Sequence, residues 1–271
     1  MSFLGAWLVT EYVYNPDGTF AGTIRQRREL AQLPNGRIRV TQHCQPDKAL
    51  SRHPMVRFAG SPVFELSVDG RFRRYHGPAV VGTGISWGEG AMTGRGLWPD
   101  FGHNFRSFAV LPVADCQLTG GKFFNATEMI ANIAGVAVPE SGASDYPTLN
   151  QAYRPLSREW QGTCRTILLD GTVQDERPYR RIFHTVSDEQ IIWEEAGELT
   201  ILNWDNGRFR SKDGIGKLFG PLLEMETVLE NGRICEQLEL LDTVRGHLIG
   251  IRRWLRDEEL EKVEVVRLRS N

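Results

Sequence analysis

Residues 7–19 read WLVTEYVYNPDGT and residues 160–172 read WQGTCRTILLDGT. In both, a tryptophan opens a run of apolar and β-branched residues that Asp-Gly-Thr closes. Trp7, Asp17, Gly18 and Thr19 recur at one constant interval, 153 residues, as Trp160, Asp170, Gly171 and Thr172. Each stretch reads as a strand ending in a tight turn, because glycine takes a positive φ at little cost. The matched pair points to a duplicated unit.

Further matches follow in the same order. Asp69-Gly70-Arg71-Phe72-Arg73 recurs as Asn206-Gly207-Arg208-Phe209-Arg210 at an interval of 137, and Gly102-His103 recurs as Gly246-His247 at 144. The drop from 153 to 137 places about 16 extra residues in the first copy, and residues 43–58, broken by Pro46 and Pro54, are their natural location. A surface loop absorbs such an insertion at small entropic cost, as a lid or as plain variable loop. Between these landmarks lie short strand-like runs at residues 38–40, 71–75, 105–111, 190–193, 199–204, 234–240 and 260–268. Hairpin signals at Asn35-Gly36, Asp69-Gly70, Asn206-Gly207 and Asn231-Gly232 separate them. Residues 155–160 and 213–219 offer at most a helical turn or two. A meander of this kind hides its edges best by closing. The expectation is an all-β fold: two tandem antiparallel up-and-down β-barrels from an internal duplication, residues 1–138 and 156–271, joined by a polar, proline-containing linker at 139–155.

Composition narrows the function classes. With 41% hydrophobic and 24% charged residues among 271, the chain is an ordinary globular one. A net charge of −2 without a basic cluster beyond Arg25–Arg28 and Arg71–Arg74 disfavours nucleic acid and anionic membrane as partners. Cys44, Cys116, Cys164 and Cys235 lie far apart, so thiolate metal binding is not expected. The first residues lack a signal peptide's basic region, and no apolar run approaches the roughly 20 residues of a spanning helix. A cytoplasmic location is expected. A homodimer is plausible for such barrels.

Gly5-Ala6-Trp7 resembles the Gly-x-Trp that opens the first strand of lipocalins and related calycin barrels, as does the meander that follows. The resemblance implies a basic residue of the last strand packed over the tryptophan, a part Arg267 could play for Trp160. It further implies binding or chemistry on apolar metabolites, as in tandem lipocalin-like hydratases and cyclases, or haem binding, as in nitrobindin-type barrels.

Residues 84–108, GISWGEGAMTGRGLWPDFGHNFRSF, carry the candidate pocket. Glycines at this density let a backbone or a ligand approach a strand surface closely. The second copy instead alternates Glu224, Glu226, Glu230, Glu236 and Glu239 with apolar residues, the pattern of one wet and one packed face, so the cavity is expected in the first copy and a supporting role in the second. His103 near Asp100 suits a general base with an orienting acid, or else a structural histidine at a strand start. Trp87, Trp98, Tyr75 and Phe123 would line the pocket, and Asn104, Asn125 and Arg106 would orient polar groups. Arg25, Arg27 and Glu29 share one strand face and Gln26, Arg28 and Leu30 the other, so some charge must point inward and find a partner there; Glu29 with Arg25 or Arg27 is the expected structural network, and a carboxylate-binding site the alternative. Without a Gly-x-Ser-x-Gly elbow, phosphate loop, zinc-protease motif or dinucleotide fingerprint, the expected chemistry is proton transfer on a small, largely apolar or aromatic molecule, as in a lyase, isomerase or cyclase, without a cofactor. A non-catalytic carrier is the alternative, and a haem protein with His103 or His76 as axial ligand a third.

Overall fold

The computed structural model describes residues 3–155, 158–205, 208–229 and 231–270. The Asn206-Gly207 turn, Glu230 and the first residues of the expected second unit, 156–157, lie outside them. Clustering of backbone contacts divides the chain into two compact units, Met1–Thr148 and Leu149–Asn271.

The first unit is a closed ten-stranded antiparallel barrel: β1 Gly5–Tyr14, β2 Phe20–Gln32, β3 Ile38–Pro46, β4 Val63–Asp69, β5 Phe72–His76, β6 Val81–Ser86, β7 Ala91–Trp98, β8 His103–Val113, β9 Cys116–Asn125 and β10 Glu128–Pro139. The second unit repeats it with β11 Glu159–Leu168, β12 Val173–Val186, β13 Gln190–Glu195, β14 Glu198–Asp205, β15 Arg208–Arg210, β16 Gly214–Phe219, β17 Leu222–Val228, β18 Ile234–Asp242, β19 His247–Arg256 and β20 Glu259–Ser270. Strands pair in chain order and the last closes on the first, so neither unit leaves an unpaired edge. Residues 213–219, read as a possible helical turn, instead supply β16, whose six residues all pair with β17. Among the described residues no helix is long and apolar enough to cross a membrane.

The repeated Asp-Gly-Thr has a local reason. Asp17 Oδ1 accepts hydrogen bonds from the Thr19 amide at 2.9 Å and hydroxyl at 2.6 Å, and Asp170 Oδ1 accepts from the Thr172 amide at 2.8 Å. Gly18 and Gly171 take φ of 96° and 92°, which a Cβ would strain. Trp7 and Trp160 open β1 and β11, and Phe72 and Phe209 lie on the fifth strand of each barrel. The Gly-His match is different: His103 opens the eighth strand of its barrel and His247 the ninth. What the two share is a turn glycine at φ 69° and 67°, a local motif rather than a duplicated position.

The extra residues of the first copy fall between β3 and β4. There the second barrel turns on Ala196-Gly197 alone, whereas the first carries two 3-10 turns, Lys48–Arg52 and Pro54–Phe58. Asp47 caps the first turn by accepting from the Leu50 amide and is tied to β2 by the Thr23 amide at 2.8 Å. His53 Nδ1 accepts from the Met55 amide at 3.1 Å at the start of the second turn. Leu50 and Met55 are completely buried, and Phe58 nearly so, in the core of this barrel. Three such side chains contribute roughly 1.5–3 kcal/mol each. The segment is therefore a plug in one barrel end rather than a loose loop.

The segment expected as a linker is also held. Glu140 accepts from Arg27 Nε at 2.7 Å, Arg25 stacks on Tyr146, and Tyr153 is buried in the core of the second unit. The expected packing of Arg267 over Trp160 is at odds with the register. Ser270 is the cross-strand partner of inward-facing Trp160, and Arg267, three residues away, lies on the opposite face of β20. The arginine opposite Trp160 is Arg181 on β12, as Arg28 on β2 stands opposite Trp7.

Candidate functional site

Register decides which side chains enter the first barrel. Trp7, Val9, Glu11 and Val13 face inward from β1, and their β2 partners are Arg28, Gln26, Ile24 and Gly22. The polar strand of residues 25–30 thus sends Gln26, Arg28 and Leu30 inside. Arg27 and Glu29 remain outside, paired at 3.3 Å. Within the barrel Arg28 Nη2 donates to Glu11 at 3.3 Å and to Gln26 at 3.1 Å. Burial pushes the Glu11 carboxyl above its usual range, against the opposing charge of Arg28. Glu11 and Arg28 keep 16% and 14% of their side-chain surface exposed on the inner wall.

Across from it, Arg73 and Tyr75 enter from β5, paired with Gly84 and Gly82 of β6. The glycine-rich wall first serves the protein's own rings. A Cβ on Gly94 would lie 2.7 Å from the Tyr75 hydroxyl and 3.1 Å from Ser107 Oγ, and one on Gly96 would lie 2.8 Å from the Phe105 ring. Above this polar layer, Trp98, Phe105, Phe123 and Phe64 form an edge-to-face cluster with Phe58 of the plug. Phe58 lies 5.2 Å from Trp98 and 5.0 Å from Phe123 between ring centroids.

The residues named from the sequence therefore separate. Tyr75, Trp98, Phe123 and His103 face the interior. Asn125 stands with His103, His53 and Arg57 around a cleft of about 500 Å³ between the plug and the rim. His103 is 6% exposed and neither ring nitrogen has a hydrogen-bond partner; burial, and then the charge of Arg57, hold its pKa below the usual value. Asp100 is not brought to it. That carboxylate lies at the exposed tip of the turn 98–103, which closes through the Gly102 amide on Trp98 and Pro99. Asn104 and Arg106 point outward into a second cleft, of about 590 Å³, on the outer face of β6–β9. Trp87 is buried at the far barrel end, donating to Thr93 Oγ1 at 2.8 Å beneath Arg71. No group of three metal-ligating side chains occurs among the described residues.

The second barrel holds what sequence reading missed. Arg181, completely buried, donates to Glu239 at 2.5 and 2.6 Å and to Glu195 at 2.5 and 2.9 Å, and stacks on Trp193 at 5.0 Å. Arg252 donates to Glu195 at 2.5 Å and to Tyr179 at 2.7 Å, and the Tyr153 hydroxyl donates to Glu239 at 2.8 Å. Burial opposes ionisation of Glu195, yet Arg181 and Arg252 hold its pKa at about 2. Glu239, read as part of a wet face, is inside because it stands three residues from Glu236. Three residues along a strand is a change of face, and Glu236 is indeed outside, paired with Arg253 at 2.6 Å. That parity was the available signal.

The two interiors can be compared position by position. Counting from the pairs that close the barrels, Trp7 with Pro139 and Trp160 with Ser270, register aligns Gly121, Ser107 and Ala109 with Arg252, Gln237 and Glu239. Arg28 aligns with Arg181 and Gln42 with Glu195. At three of these positions, those of Arg252, Gln237 and Glu239, the first barrel carries a small side chain or none, while elsewhere the exchange runs the other way, with Val9 and Thr119 standing where the second barrel has Gly162 and Gly250.

The chain thus belongs to the architectural class of tandem ten-stranded antiparallel barrels. Among solved structures it is similar to a protein of unknown function from the DUF3598 family of Nostoc punctiforme, at 14% identity and TM-score 0.59, with 99% of this chain and 96% of that one covered. A candidate outer membrane protein of Bacteroides fragilis matches at 7% identity over 99% and 97% of the two chains, with a TM-score of 0.28. The first likeness is one of fold, and the second carries no structural argument. No family model and no curated protein matches the chain.

Proposed function

We propose that the first barrel binds a small, largely apolar molecule and carries or stores it, and that the second barrel is its structural support. The observation that carries this reading is the exchange of Arg252, Gln237 and Glu239 for Gly121, Ser107 and Ala109 at matched inner positions. Space of this kind beside an aromatic cluster suits a ligand with an apolar body. The plug over the cluster suits a gate that admits it. The test is mass spectrometry of the molecule released on denaturing the purified protein, together with titration by the neutral dye Nile red. Saturable 1:1 dye binding that Ser107→Gln abolishes supports the reading. A protein that releases nothing and leaves the dye unbound defeats it.

Proton-transfer chemistry is the second reading, favoured by the two unpartnered nitrogens of His103 beside the plug cleft. Asp100 would not orient that imidazole, so the histidine would have to act on the ligand alone. Once a ligand is identified, loss of its turnover in His103→Gln with binding retained would establish this role. Full turnover would remove it.

A further inference from the structure

Three charged side chains are turned into the first barrel: Glu11, Arg28 and Arg73. Glu11 is engaged by Arg28 at 3.3 Å, and Glu128, which register sets opposite Asn125, is exposed at the rim. Arg73 is left over. Among the described residues it forms no ion pair, its Nη1 is buried without a hydrogen-bond partner, and burial lowers its pKa. Arg28 Nε is likewise buried and unpartnered, although Nη2 of the same group is used. The Tyr75 hydroxyl, two residues along the same strand face as Arg73, sits in the notch left by Gly84 and Gly94 beside Ser107. The charges of both arginines act on that phenol. In the second barrel, by contrast, Arg181, Arg252 and Arg177 each contact a carboxylate.

Buried guanidinium nitrogens without partners on an inner wall, Arg73 Nη1 and Arg28 Nε, are the complement of a group that only accepts hydrogen bonds and carries negative charge. We propose that Arg73, with Tyr75 and Arg28, binds the carboxylate of an amphipathic carboxylic acid whose apolar body lies toward Trp98, Phe105 and Phe123. This rests on the carrier reading above and names the class of molecule carried. The planar guanidinium matches a carboxylate in two parallel bonds, and the tyrosine hydroxyl adds a neutral donor. A singly charged carboxylate balances the leftover charge of Arg73, whereas a phosphate monoester would bring a second negative charge with no partner.

The experiment titrates the full-length protein with lauric acid, its methyl ester and dodecyl phosphate by calorimetry, for wild type, Arg73→Met, Arg73→Lys and Tyr75→Phe. Lauric acid is expected to bind about tenfold or more tightly than the ester. Arg73→Met should remove that preference while leaving the ester's affinity unchanged, with Arg73→Lys restoring part of it. Tyr75→Phe deletes one oxygen and keeps the ring in its notch, so it remains informative if Arg73→Met does not fold. It should weaken the acid severalfold and not the ester. Equal binding of acid and ester by wild type, unaffected by Arg73→Met or Tyr75→Phe, overturns the carboxylate site and leaves the carrier reading standing. Tighter binding of dodecyl phosphate than of the acid overturns the choice of carboxylate. Absence of binding by all three ligands, with Nile red also unbound, overturns the carrier reading and this inference with it.

Discussion

Replacing Glu239 by alanine strikes the second barrel where its interior has no slack. Glu239 and Arg181 are both fully buried, and the carboxylate accepts two bonds from Arg181 and one from Tyr153. Without it, Arg181 keeps only Glu195, which must also serve Arg252, and the Tyr153 hydroxyl loses its acceptor. Arg181 and Arg252 then share Glu195, the next carboxylate, Glu264, being 4.0 Å from Arg252 and also paired with Arg177. Removing one partner of a buried pair costs about 3–5 kcal/mol, because the remaining charge stays out of water. A unit of roughly 120 residues unfolds with an entropy near 0.25 kcal/mol/K, so the melting temperature of this barrel should fall by about 12–20 °C. Urea denaturation followed by far-UV circular dichroism and tryptophan fluorescence measures the loss, with the slope expected to stay constant. The decisive companion is the double variant Arg181→Met, Glu239→Leu. It removes both charges into apolar volume and should recover to within about 2 kcal/mol of wild type. A single-variant loss below about 1 kcal/mol, or a double-variant loss equal to the sum of the two singles, would refute the claim that these groups act as one buried unit.

Further predictions concern acid stability, the plug, the glycine notch and the thiols. Glu195 titrates near 2 in the folded barrel against 4.5 in an unfolded chain, so its contribution of about 3 kcal/mol is complete above pH 4.5 and is lost as pH falls toward 2. A urea midpoint profile from pH 2 to 6 should flatten in Glu195→Gln, and an unchanged slope would contradict the assignment. Met55→Ala should cost about 2–5 kcal/mol, because the side chain is fully enclosed. Replacing residues 47–62 by the Ala-Gly turn of the second barrel should raise the association rate of Nile red in stopped flow if the plug gates entry. Gly94→Ala puts a methyl 2.7 Å from the Tyr75 oxygen and should cost about 1–3 kcal/mol, read by the same urea curves. Burial pushes the thiols of Cys44, Cys164 and Cys235 up to about 12, 11 and 12, and Cys116 is 2% exposed. All four should resist Ellman's reagent until urea unfolds the chain.

How far the sequence could be read depended on whether the information was local. Turns are local: Asp17-Gly18-Thr19 makes its bonds within three residues, so the repeat, the hairpins and the barrels were legible, as was the insertion before Phe64. The false equivalence of His103 and His247 has the same origin, since a Gly-His turn recurs for local reasons and says nothing of strand count. Facing was harder. The inward network expected from Glu29 with Arg25 or Arg27 lies on the outer face, and the charge that enters is Arg28, whose partner Glu11 is a strand away. Arg73 was read only as part of a short basic run. Whether Arg73 points to water or into the barrel depends on its pairing with Gly84, a contact between strands. His103 and Asp100 lie three apart in the chain, yet the tight turn after Trp98 exposes the acid and buries the imidazole.

The two barrels test one physical idea at matched positions. A closed ten-stranded sheet has more interior than a single apolar layer fills, and the remainder must be occupied by side chains, water or a ligand. The second barrel occupies it with charge, and its arginines are paired. That arrangement is rigid because every partner lost is expensive. The first keeps one such arginine, Arg28, has Gly121, Ser107 and Ala109 where the second has Arg252, Gln237 and Glu239, and brings in Arg73 from a different strand, with no ion pair among the described residues. An interior under selection for stability alone would have either paired Arg73 or replaced it by an apolar residue, since a buried unpaired donor costs stability and returns none. Its place beside the Tyr75 phenol, with Nη1 buried and without a partner, is therefore best understood as provision for a group the chain does not itself contain.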